Sequence, residues 1–150
     1  MSTRMITNSR SRRDAGWTFV EAIIVIAIVF TLSGTVAVSA FRYIDRARIA
    51  ATRAQIESLR LALHAYYIDT GSFPTEAQGL SALWSKPVLA PIPVGWAGPY
   101  LDRPAGVDAW GTAFLYRRDQ YGDTPFEIVS LGADALPGGN GSDADISSRD

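Results

Sequence analysis

The chain has 150 residues, which suits one small domain with an added helical segment. Its Lys and Arg number 14 and its Asp and Glu 15, a formal net charge of −1, so nothing in the balance points to nucleic acid. It has no cysteine and a single histidine, His64, which excludes disulfide stapling, thiol chemistry and most zinc or nucleophile–histidine constellations.

Residues 1–16 are polar and carry Arg4, Arg10, Arg12 and Arg13 against Asp14, which reads as a basic leader that holds its end in the cytoplasm. Gly16 closes it. From Ala22 to Ala40 no residue is charged, and at about 1.5 Å per residue that length of helix suffices to cross a bilayer core. Residues 17–40 are therefore expected to form a transmembrane helix. Glu21 stands at its start as the anomaly, because a carboxylate inside a membrane costs roughly 2.5 kcal/mol or more. Two simpler readings fit the same stretch. One is a plain signal anchor. The other is a cleaved secretory signal, with Val38-Ser39-Ala40 as its small-residue site.

The helix is predicted to continue well past the membrane, since no proline or glycine occurs between Phe41 and Asp69. Ile49, Ile56, Leu59, Leu63 and Tyr66 recur at helical spacing and form one apolar stripe. Ala47, Ala51, Ala54, Ala62 and Ala65 line a neighbouring strip. The stripe needs a sheet to cover it. Gly71 is the natural residue just past the helix end. The whole element would be a rod of roughly 75 Å. His64 reads as a surface or helix-end residue with no metal role.

Glu76 to Leu83 is predicted as a short helix with Thr75 as N-cap and Leu80 and Leu83 inward. The proline-rich passage from Lys86 to Leu101 is predicted to be irregular. Asp108-Ala109-Trp110-Gly111 reads as a turn. Thr112 to Arg117 is a strand with Phe114 and Tyr116 on one face, and Phe126 to Leu131 is a second strand across a polar hairpin loop. The tail gathers Asp134, Asn140, Asp143 and Asp145 among glycines, a set of hard oxygen ligands of the kind calcium takes. The order is not that of an EF-hand, and composition alone favours a solvated, disordered tail.

Gly16 followed by Trp17-Thr18-Phe19-Val20-Glu21 resembles the cleavage signal of type IV pilin-like proteins. The resemblance implies that a prepilin peptidase cuts after Gly16, that Trp17 becomes the N-methylated first residue, and that Glu21 serves filament assembly. The family's usual phenylalanine is replaced here by Trp17, and its frequent helix-bending proline by Val38. Three further series resemble the major pseudopilin of type II secretion systems. They are Tyr67-x-Asp69-x-Gly71-x-Phe73-Pro74-Thr75 with Gln78-Gly79-Leu80-x-Ala82-Leu83 and Lys86-Pro87, then Gly98-Pro99-Tyr100-Leu101 with Asp108-x-Trp110-Gly111, then Ser130-Leu131-Gly132-Ala133-Asp134.

That resemblance, which runs from Gly16 to about Ile146, implies a non-enzymatic subunit of α+β, pilin-like fold: a long N-terminal helix with a transmembrane first half, packed on a small antiparallel sheet. It implies three regions: a leader at 1–16, a transmembrane and filament-core helix at 17–40 and a periplasmic domain at 41–150. The subunit would wait in the inner membrane, in contact with lipid, and polymerise with itself into a periplasmic pseudopilus that drives folded proteins across the outer membrane. Its partners would be the prepilin peptidase, minor pseudopilins and the inner-membrane assembly platform. The resemblance also implies calcium in the tail, held by Asp134, Asp143, Asp145 and the backbone carbonyl near Leu131, with Asn140 as a substitute because Ala144 interrupts the family's acidic run. The competing functional reading is a surface type IV pilus subunit for adhesion or motility. The missing cysteines and the calcium-type loop weigh against it.

Overall fold

The computed structural model describes residues 18–119 and 124–150, without the side chains of residues 34–41. The chain divides into two compact units, Met1–Ala40 and Phe41–Asp150. One long helix, α1, spans Phe19–Thr70.

In the first unit the side chains Phe19, Val20, Ile23 to Ile26, Ile28 to Phe30 and Leu32 are exposed around the helix. A helix apolar on every side has no solvated face of its own. Among the described residues no helix is long and apolar enough to cross a membrane. The expected transmembrane first half is thus not met there; part of the span predicted for it lies outside the described residues.

In the second unit α1 behaves as its pattern requires. Ile56, Leu59, Leu63 and Tyr66 are buried, Ile49 is half-buried, and Ala62 alone of the alanine strip enters the core. The helix ends at Thr70. Gly71 adopts φ +74° and donates its N–H to the Tyr67 carbonyl at 2.8 Å, the left-handed stop that glycine accepts without a Cβ clash.

The next element is tighter than expected. Thr75 Oγ1 accepts the Gln78 N–H at 3.2 Å, and the Thr75 N–H donates to Gln78 Oε1 at 3.0 Å. This is a reciprocal capping box. The chain after it forms a 3-10 turn at Gly79–Leu83, not an α-helix, because Gly79 sits at φ +56° and breaks the start. Leu80 and Leu83 still turn inward.

Three antiparallel strands follow: β1 (Leu115–Arg118), β2 (Phe126–Ser130) and β3 (Ile146–Ser147), in that order across the sheet. β1 starts later than predicted. Residue Ala113 pairs with Val107 instead, and the chain joins β2 only from Leu115 opposite Val129. The alternation holds, with Phe114 and Tyr116 turned toward the core and Ala113 and Leu115 exposed. Phe126, Ile128 and Ile146 bring the sheet onto the helix stripe, with Phe73 and Leu83 filling the space between.

Candidate functional site

Among the described residues no side-chain cluster resembles a catalytic centre. The functional candidates are the start of α1 and the loop between β2 and β3, with a buried network beside the loop.

Gly16 and Trp17 lie outside the described residues. Thr18 and Glu21 are described. The Glu21 N–H donates to Thr18 Oγ1 at 3.2 Å, and the Ala22 N–H to the Thr18 carbonyl at 3.1 Å. Thr18 is therefore the N-cap and Glu21 the third helical residue, where a carboxylate meets the positive end of the helix dipole. The Thr-x-x-Glu spacing is a capping-box signature, legible in the sequence but passed over when Glu21 is read as a membrane anomaly and a filament-assembly residue. The Glu21 side chain is exposed.

The buried network centres on Asp108, only 4% exposed. Its Oδ1 accepts the N–H groups of Trp110 and Thr112 at 3.0 and 2.9 Å. Its Oδ2 accepts the Ser130 hydroxyl at 2.6 Å, and Ser130 Oγ in turn accepts the Gly132 N–H at 3.3 Å. Thr52 of α1, fully buried, accepts the Ala109 N–H at 3.3 Å. Turn and sheet are thus tied through one satisfied carboxylate, with the helix joined to the same turn through Thr52 and the loop through Ser130. In the sequence Asp108 reads as a turn residue and as part of the Asp108-x-Trp110-Gly111 resemblance, not as the centre of a buried network. The only hint of more was an Asp opening a turn that a glycine closes.

The loop after β2 is not a free tail. Gly132, at φ +66°, is packed so that a Cβ there would stand 2.8 Å from the Asp143 carbonyl, and a Cβ at Gly139 would strike the same carbonyl oxygen. The two arms of the loop meet at Asp143. The Ala133 N–H donates to the Ser142 carbonyl at 2.9 Å and the Asp145 N–H to the Gly138 carbonyl at 3.1 Å. Asp145 Oδ2 accepts the Gly138 N–H at 3.0 Å. Its other oxygen, Oδ1, is buried with no hydrogen-bond partner. Asp134 is exposed and spends Oδ1 on the Leu136 N–H at 3.0 Å. Asn140 is exposed, and its carbonyl accepts the Asp143 N–H at 3.2 Å, opening the 3-10 turn Gly141–Asp143.

Among the described residues no three His, Asp or Glu side chains gather within reach of one metal ion. What fits a hard cation is narrower. A buried, unpaired carboxylate oxygen on Asp145 stands in a loop rich in backbone carbonyls, the donor chemistry calcium accepts. His64 is exposed at the helix surface, edge-on to Phe73 and Phe126.

A helix apolar at its start and amphipathic later, closed by a small sheet with a glycine-rich ligand-type loop, defines a pilin-like class of subunit. The comparisons narrow it. The family pattern described as type II secretion system (T2SS), protein G, matches residues 39–149. The type II secretion system core protein G of Pseudomonas aeruginosa is 32% identical over 139 residues, covering 93% of this chain and 97% of that protein. The core protein G of Xanthomonas campestris pv. campestris is 33% identical over 147 residues, covering 97% and 98%. The crystal structure of the major pseudopilin from the type 2 secretion system of enterohaemorrhagic Escherichia coli aligns with a TM-score of 0.58 at 31% identity, covering 69% of this chain and 88% of that one. The chain belongs to the type II secretion system protein G family.

Proposed function

We propose that the chain is a structural subunit of the periplasmic pseudopilus of a type II secretion system, and that growth of this filament moves folded proteins across the outer membrane. The observation that carries the reading is its membership of the protein G family over nearly its whole length. The start of α1, apolar on every side with its side chains exposed, supports it, because such a surface needs lipid or other helices around it.

The finer steps follow from the residues. The basic leader holds the N-terminus in the cytoplasm, and the helix rests in the inner membrane before assembly. Cleavage after Gly16 creates an α-amino group at Trp17, which is then N-methylated. That amine is four residues before Glu21 in the sequence. In a bundle of apolar helices, Glu21 of one subunit pairs with the amine of the next, and a paired charge offsets a desolvation cost that a lone charge cannot. The chain therefore assembles with copies of itself, with minor pseudopilins at the tip and with the inner-membrane platform. The role is structural and requires no catalysis by the chain.

The test is intact mass with and without a prepilin peptidase, followed by filament imaging. A mature chain starting at methylated Trp17 is expected, and Glu21→Ala should be cut normally yet assemble poorly. A mature N-terminus at Phe41 would establish an ordinary secretory signal and overturn the reading. Fibres on the cell surface would favour the type IV pilus alternative.

Calcium belongs to the same proposal. Asp145 would anchor the ion, with Asp134, Asp143, the Leu131 carbonyl and Asn140 available in the same loop. Bound calcium would hold the loop shut and stabilise the folded chain by mass action. The chain should melt higher in calcium than in chelator, and Asp145→Ala should remove the difference. Equal melting temperatures would remove calcium from the account.

A further inference from the structure

The chain has two asparagines, Asn8 and Asn140, and only Asn140 is followed by glycine. The carbonyl of an asparagine side chain can be attacked by the backbone nitrogen of the next residue. That reaction needs a free side-chain amide, a free following N–H and no Cβ crowding the approach. Asn140 and Gly141 meet all three conditions. Asn140 is exposed, and among the described residues its side chain makes no hydrogen bond, not even to the 3-10 turn it opens. Among the described residues the Gly141 N–H has no acceptor either. A Cβ built on Gly141 would meet nothing within 4 Å, so the space around this bond is open.

Gln78 is also followed by a glycine, and the fold closes that pair to the same chemistry. Gln78 is 6% exposed. Its Oε1 accepts the Thr75 N–H at 3.0 Å, and its Nε2 donates to the Leu89 and Pro91 carbonyls at 2.8 and 2.9 Å. The Gly79 N–H donates to the Thr75 carbonyl at 2.9 Å. One amide–glycine pair is thus locked and the other left open. Asn140 is extended, with ψ 152°, so closing a ring onto Gly141 requires rotation about its Cα–C bond. The hydrogen bond which that rotation must give up is a long one, from the Asp143 N–H to the Asn140 carbonyl at 3.2 Å. Gly138, Gly139 and Gly141 flank the site, all at positive φ.

We propose that Asn140 and Gly141 form a self-modifying site, at which Asn140 is converted to aspartate and isoaspartate. The Gly141 nitrogen gives up its proton to hydroxide and bonds to Cγ of Asn140. The Cγ–Nδ2 bond breaks and ammonia leaves, which closes a cyclic imide. Water then opens the imide at either carbonyl, and the Gly141 nitrogen recovers a proton. Opening at Cγ leaves aspartate. Opening at the main-chain carbon leaves isoaspartate, whose backbone runs through the former side chain and is one methylene longer. Either product adds a carboxylate to a loop that already carries Asp134, Asp143 and Asp145. Water is the one co-reactant. Neither the filament nor calcium enters this chemistry.

The test holds full-length chain in detergent with chelator, in water enriched in heavy oxygen, natively and in urea. Chelator keeps cations off the loop carboxylates. Trypsin digestion in ordinary water then releases the peptide Asp119–Arg149, which is sequenced by fragmentation. Residue 140 should carry heavy oxygen as a mixture of aspartate and isoaspartate, with more of both at higher pH. The native chain should convert within about tenfold of the rate in urea, a barrier difference under about 1.4 kcal/mol. In Asn140→Gln the peptide should take up none, which excludes Gln120 as its source. Conversion in urea with an intact Asn140 in the native chain would show that the fold protects the loop, and would overturn the site. Aspartate without isoaspartate would show direct hydrolysis and overturn the ring closure. Uptake that persists in Asn140→Gln would overturn the assignment to this residue.

Discussion

Asp108 shows how far one buried carboxylate can organise a small domain. Two N–H groups and a serine hydroxyl point at its oxygens, so its charge is spread over three donors from two segments. Asp108→Ala would leave those donors buried and unpaired. It should lower stability by about 2–4 kcal/mol in denaturant unfolding, and Asp108→Asn by less, since the amide keeps an acceptor. Tyr116 makes a second residue-scale prediction. Its hydroxyl donates to the Pro74 carbonyl at 2.9 Å, and burial pushes its pKa well above the ordinary tyrosine value. The folded state therefore keeps a proton that the unfolded state releases, and the stability this contributes is full below about pH 10 and declines as pH rises above it. Tyr116→Phe should flatten that decline, measured as unfolding free energy from pH 9 to 11. An unchanged slope would detach the alkaline loss from Tyr116.

At the scale of elements, the long helix was legible because its evidence is repetitive. Ile56, Leu59, Leu63 and Tyr66 fall at threes and fours over about three turns, and Gly71 marks the stop. The short elements carried too few residues for a period to show. The run from Glu76 to Leu83 has inward leucines whether it is α or 3-10, and only the backbone at Gly79 decides. β3 is two residues long, and its place beside β2 depends on pairing of Ser147 with Val129 and Ile146 with Ser130, which no local pattern encodes. The Thr75–Gln78 box gives this scale its prediction. Thr75→Ala should cost about 1 kcal/mol, a typical N-cap loss. Gln78→Ala should cost more, because it also frees the Leu89 and Pro91 carbonyls. Equal losses in urea unfolding would mean that the carbonyl contacts contribute nothing.

For the whole molecule, the order of motifs from Tyr67 to Asp134 pointed to the family although none of those residues is reactive. They are turn formers, caps and core aromatics, and their spacing records a fold. Composition marked the oxygen ligands of the tail but favoured a disordered chain, so the ordered loop was not legible in it. Its closure depends on Gly132 and Gly139 packing against Asp143, and on which Asp145 oxygen is left unpaired, and both are tertiary facts. Deleting the chain in its host and measuring a type II substrate in periplasm and medium shows whether this chain builds the filament on which secretion depends. The folded substrate should accumulate in the periplasm and return to the medium when the wild-type chain is supplied. Undiminished secretion in the deletion strain would rule that role out.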